Sequence, residues 1–175
     1  MIKHTLLLII VFLSVTAYAQ VPRFEKHQVG TTGVSLYCPA TPEFDLSYSE
    51  DSSAVYTTDM EVDSFYFSAI VVEFSAAIGD DKTANEELLI TYLDFLQNQF
   101  AITGNAGYGK GHTLEQYPDV VGVIDYWQDA DSTQYSITGW INSKYLVVLL
   151  IYGPSTYPIY NVAELYFKGV RFESN

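Results

Sequence analysis

Tyr145-Leu146-Val147-Val148-Leu149-Leu150-Ile151-Tyr152 is the stretch on which the fold turns. A strand with one face in water alternates apolar with polar residues, and this one does not alternate at all. Gly153-Pro154 stops it. The run reads as the central strand of a sheet buried on both faces.

Working outward, Gln134–Ile141 and Val120–Gln128 precede it as strands. The short polar links Asn142-Ser143-Lys144 and Asp129-Ala130-Asp131-Ser132 join them, as hairpins require. Upstream, Val34–Cys38, Val55–Val62 and Phe65–Phe74 read as further strands, the last apolar on both faces. Between the two groups, Thr83-Ala84-Asn85-Glu86 has the form of a capping box. Leu89, Leu93, Leu96 and Phe100 follow at helical spacing, flanked by Leu88, Tyr92 and Phe95. A last helix is expected from Pro158 to Phe167, closed by Gly169, with Val162, Leu165 and Tyr166 inward. Two strands apolar on both faces and two helices predict an α+β fold. The expected architecture is an antiparallel β-sheet covered by helices on both faces, a three-layer α/β/α sandwich.

The chain begins with a different kind of segment. Lys3 and His4 precede the apolar run Leu6–Leu13, and Ala17-Tyr18-Ala19 closes it before Gln20. A basic start, an apolar stretch and a small-x-small end are the parts of a secretory signal peptide. About ten apolar residues are too few to span roughly 30 Å of hydrocarbon. The expected division is a signal peptide over 1–19, a short leader over 20–32 and a single domain over 33–175. No cysteine follows the cleavage site to carry a lipid, so the mature chain is expected in the periplasm or outside the cell, without membrane insertion. Cleavage leaves 7 basic and 21 acidic residues, a net charge of −14. So acidic a surface would be repelled by a phosphate backbone, which argues against nucleic acid as a partner. Cys38, the sole cysteine, reads as a small buried hydrophobe, with an intermolecular disulfide or a nucleophile as the other possibilities.

Several segments resemble the PsbP-like fold family and its bacterial exported members. They are Gly33-Val34-Ser35-Leu36-Tyr37-Cys38-Pro39, Tyr117-Pro118, Lys144–Val148 leading to Gly153-Pro154, and Ala163–Phe172. After Tyr117-Pro118 the chain has Asp119-Val120, where relatives often carry Gly-Arg. The resemblance implies an exported accessory or binding protein and transfers no catalytic residue.

Candidate site residues are few. Gly104–Lys110 matches the start of a phosphate-binding loop, but Gly111 stands where Ser or Thr must hold magnesium, and a helix-to-strand loop explains the glycines. Asp129 and Asp131 begin like a calcium loop, yet Gln134 and Trp140 occupy positions that need glycine and glutamate. Asp59, Glu61 and Asp63 alternate, as on a solvated strand edge or a weak cation site. His27 and His112 have no ligand spacing around them. Glu73 and Asp125 lie within apolar strands, where a lone carboxylate is costly to bury. As a pair in a cleft they would suit glycosidase-like acid/base work; apart, each would bond a neighbouring Tyr, Thr or Lys. Trp127, Trp140, Tyr126 and Tyr135 come from adjacent strands and offer an aromatic binding face or core filling. No catalytic constellation is complete and nothing calls for a cofactor. The leading expectation is an exported, non-enzymatic module binding a protein or small ligand. A small hydrolase using the two carboxylates and a structural subunit of an envelope assembly are the alternatives.

Overall fold

The computed structural model describes residues 22–173; the signal-peptide reading lies outside them. The chain forms β1 (Glu25–Gln28), β2 (Val34–Cys38), β3 (Asp45–Tyr48), β4 (Ala54–Val62) and β5 (Phe65–Glu73). Helix α1 (Lys82–Gln99) follows, then β6 (Ile102–Asn105), β7 (Gly109–Leu114), β8 (Tyr117–Asp129), β9 (Gln134–Ile141) and β10 (Tyr145–Gly153). Helix α2 (Tyr160–Phe167) and β11 (Val170–Phe172) end it.

Eight strands make one antiparallel sheet in the order β3-β4-β5-β10-β9-β8-β6, with β7 also paired to β8. The apolar run 145–152 lies at its centre, between β5 and β9. Local chemistry fixes the register. At the β9–β10 turn, Asn142 Oδ1 accepts from the N–H groups of Lys144 (2.9 Å) and Tyr145 (2.8 Å). At the β8–β9 turn, Asp129 Oδ1 accepts from Asp131 and Thr133 (2.9 and 2.8 Å), and Ser132 takes a positive φ of 67°. A three-stranded sheet, β1-β2-β11, stands apart.

Alternation along β10 divides the interior in two. Val148 and Leu150 join Leu89, Leu93 and Leu96 of α1 in one core, with Val123, Trp127 and Ile137. Val147 and Leu149 join Val34 and Leu36 of the small sheet in the other, with Phe67, Val162 and Tyr166. Helix α1 rests mainly on β8 and β9. Its Leu89 sits against Gly139, where a Cβ would come within 2.6 Å of a leucine methyl.

The expected sandwich with helices covering both faces does not form. The described residues are 49% strand and 17% helix, and the second face of the large sheet is covered mainly by the small sheet. The reason is size: α2 has eight residues and buries only Val162 and Tyr166, while Leu165, expected inward, is 47% exposed. The roofing hydrophobes lie instead in strands, Val34, Leu36 and Cys38 on β2 with Val170 and Phe172 on β11. The N-terminal cap of α1 also moves. Asp81, not Thr83, accepts from the N–H groups of Thr83 (2.9 Å) and Ala84 (3.3 Å). The glycine-rich segment 104–111, expected as a loop, is one only over 106–108: Gly104 and Asn105 end β6, and Gly109–Gly111 begin β7, both strands paired with β8. Among the described residues no helix is long and apolar enough to cross a membrane.

Candidate functional site

A cavity of about 660 Å³ lies between the large sheet and the second helix. The strands β7, β8 and β9 form one wall and α2 the other, with Thr156–Pro158 closing one end. Trp140, 2% exposed, is its floor. The indole lies over Gly122, where a Cβ would meet the ring at 2.3 Å, and Nε1 donates to the Phe167 carbonyl at 2.7 Å. Glycine on β8 therefore makes room for the ring, and a hydrogen bond to the end of α2 fixes it. Tyr126 and Tyr160 stand at the mouth, 55% and 72% exposed. Buried Thr138, half-buried Ser136 and His112 add polar groups to apolar walls. Mostly apolar walls with a few converging polar groups are the usual make-up of a small-ligand pocket. Lys168 on the rim is held to Glu164 at 2.6 Å, one helical turn away.

The sequence-predicted aromatics do not share one face. Residues pair Trp127 with Tyr135 and Gly122 with Trp140 across β8 and β9. Trp127 and Tyr135 therefore lie on the α1 side, Tyr126 and Trp140 on the cavity side. Trp127 is core, 2% exposed, and its Nε1 donates to Asp125 Oδ2 at 2.6 Å. Tyr135 stacks between Phe100 (6.1 Å) and Tyr152 (5.1 Å). Burial, then its hydrogen bond to Asp129, pushes the Tyr135 phenol up to about 12.

Glu73 and Asp125 are not brought together. Asp125 is 1% exposed on the α1 side, and its other oxygen accepts from the Tyr126 N–H at 2.8 Å. Glu73 shares its face with Phe67 and Val71 on the opposite side, at the end of β5. Three strand spacings, or about 14 Å, separate the two across the sheet. Glu73 accepts from the Tyr145 hydroxyl (3.3 Å) and faces Lys144 Nζ (3.4 Å), beside a polar cavity of about 480 Å³.

Asp129 spends its oxygens on the hairpin. Partial burial opposes ionisation, but hydrogen bonds from Thr133, Tyr135 and Asp131 outweigh it and hold the carboxyl below its ordinary range. Asp131 is exposed, and among the described residues no group of three or more His, Cys, Asp or Glu is placed to hold a metal ion. In the glycine-rich segment the Gly111 N–H donates to Glu86 Oε1 at 2.7 Å, so that amide is not free to receive a phosphate. Burial pushes the Cys38 thiol up to about 12, which leaves it protonated and unreactive at neutral pH.

What sequence reasoning missed is the α2 side of the cavity, with Tyr157, Tyr160 and Phe167, and the place of His112 in it. These residues come from segments far apart in the chain, and no spacing links them. The split of the tryptophans was legible, because the short Asp129–Thr133 turn fixes the pairing and alternation then puts Trp127 and Trp140 on opposite sides.

Taken together, fold and site define a mostly-β module of two sheets with an aromatic-walled cavity beside its short second helix. No family model matches the chain, and no curated protein matches it.

Proposed function

We propose that this chain is an exported binding module, without catalytic chemistry, that takes a small and largely apolar ligand into the cavity between α2 and β7–β9. The observation that carries the reading is Trp140, seated over Gly122 and tied to Phe167 as the rigid floor of a 660 Å³ space. A ring held this way offers contact area at low entropic cost. Thr138 and Ser136 supply hydroxyls for a single polar group on the ligand. The separation of Glu73 from Asp125 supports binding over a hydrolytic role for that pair. The PsbP-like resemblance, proposed on the residues quoted for it, agrees with an accessory or binding role, and the basic-apolar-small pattern of 1–19 supports export.

The neutral dye N-phenyl-1-naphthylamine, which brightens in apolar cavities, tests the reading by titration. Ala163 on α2 lines the cavity, and Ala163→Phe fills it. The expected result is saturable dye binding that Ala163→Phe weakens at least tenfold, about 1.4 kcal/mol, while Phe95→Ser on the other side of the large sheet leaves it unchanged. Equal binding by the Ala163→Phe chain would remove the cavity as the site.

A further inference from the structure

Helix α1 carries more apolar surface than the sheet covers. One stripe, Leu89, Leu93 and Leu96, is buried. A second, Leu88, Tyr92 and Phe95, recurs beside it at helical spacing, with Phe95 52% and Leu88 40% exposed. Because α1 rests mainly on β8 and β9, Tyr92 and Phe95 of this stripe face the wing of the large sheet formed by β4 and β5. Between them runs a groove of about 460 Å³, with Val55 and Ile70 among its apolar lining. At one end Tyr66 and Tyr152 are stacked at 5.0 Å, and Tyr152 stacks in turn on Tyr135 at 5.1 Å. Asp59 lines that end, fixed by hydrogen bonds from the hydroxyls of Tyr152 (3.2 Å) and Ser68.

Acidic residues also outnumber basic ones on these elements. From His27 to Gly109 there are 13 acidic residues and a single basic one, Lys82; the rest of the chain holds 8 acidic and 7 basic residues. Within that span β4, β5 and α1 carry six of the acidic residues, Asp59, Glu61, Glu73, Glu86, Glu87 and Asp94, against Lys82 alone, and Asp59 and Glu61 share the face of β4 that lines the groove. A half-exposed apolar stripe on a soluble surface marks an interaction site. A lining with a carboxylate, Asp59, and no basic residue selects the sign of the partner.

We propose that this groove docks a cationic amphipathic segment of a partner protein. Leucine-like side chains of the segment pack between Phe95 and Ile70, and a lysine or arginine reaches Asp59 alongside the Tyr66–Tyr152 rings, where cation–π attraction adds to charge. A second copy of the chain is the poorer occupant, because the two acidic wings would repel each other across the interface. The proposal does not depend on the cavity beside α2, which opens on the opposite face of the large sheet.

The test uses a fluorescein-labelled peptide built only of leucine and lysine at helical spacing, with binding read by anisotropy. Two control peptides replace every lysine by glutamate or every leucine by serine. The expected result is saturable binding of the first peptide alone, weakening as salt rises. Phe95→Ser, at a half-exposed position that does not threaten the fold, should raise Kd at least tenfold. Asp59→Asn with Glu61→Gln should raise it several-fold and flatten the salt dependence. Glu25→Gln with Glu115→Gln, which removes as much charge away from the groove, should leave Kd within twofold. Absence of binding, indifference to Phe95→Ser, or an equal loss in the Glu25/Glu115 variant would overturn the proposal. So would self-association of the chain in sedimentation that Phe95→Ser abolishes, which would assign the groove to a second copy.

Discussion

Tyr166→Ala is expected to lower the stability of the folded chain by about 3–5 kcal/mol, read as a fall in the urea midpoint at unchanged m-value. Tyr166 is fully buried and is the largest side chain that α2 sends into the interior. Its ring meets Phe67 edge to face at 5.2 Å, and its hydroxyl donates to the Ser68 carbonyl at 2.7 Å. Truncation therefore removes an aromatic ring, opens a cavity and frees a short helix from the sheet it is anchored to. Tyr166→Phe separates the two contributions, since it keeps the ring and loses only the hydrogen bond, a cost of about 1 kcal/mol. Because α2 is also one wall of the cavity beside Trp140, the alanine variant should lose dye binding as well. A loss of under 1 kcal/mol for Tyr166→Ala would mean that α2 is not seated as described.

Leu89→Ala comes next, with an expected cost of about 2–5 kcal/mol. Leu89 is fully buried on α1, its methyls packed where Gly139 leaves space in β9. The glycine and the leucine are two halves of one fit, which a double-mutant cycle exposes. Gly139→Ala alone forces a Cβ to within 2.6 Å of a leucine methyl and should cost about 1–3 kcal/mol. In the Leu89→Ala background the same change should cost clearly less, because the methyls it meets are gone. Leu89→Ala and Tyr166→Ala should instead add to within about 0.5 kcal/mol, because the large sheet stands between them.

The parts of this fold that were readable in the sequence are those where side-chain pattern and backbone geometry coincide. Gln134–Ile141 has the bounds that its flanking polar turns imply, and β10 runs one residue past the apolar stretch that announces it. Helix α1 follows from its leucine spacing, although the Asp81 cap shifts its start. The small sheet was not readable. Strand β1 is Glu25-Lys26-His27-Gln28, polar and four residues long, and β11 has only three residues. Neither is long enough to show a period, and their partner β2 is buried so completely that it fits several architectures. Two amphipathic segments imply one helix per face, but β2 and β11 cover most of the second face. Strands β6 and β7 stayed hidden for a simpler reason: four of the eight residues from Gly104 to Gly111 are glycine and carry no pattern. Of the site, Trp140 and Tyr126 stood out as aromatics on strands. Its α2 side depends on a tertiary contact between segments about twenty to fifty residues apart, which no local rule reports.

The central claim is that one large sheet separates two unlike covers, α1 on one face and the small sheet with α2 on the other. Nuclear Overhauser contacts among methyl groups test it most directly. Val148 and Leu150 should show contacts to Leu89 and Leu93, and Val147 and Leu149 to Val34 and Leu36, with no crossing between the sets. Contacts from Val147 or Leu149 to the leucines of α1 would contradict the account.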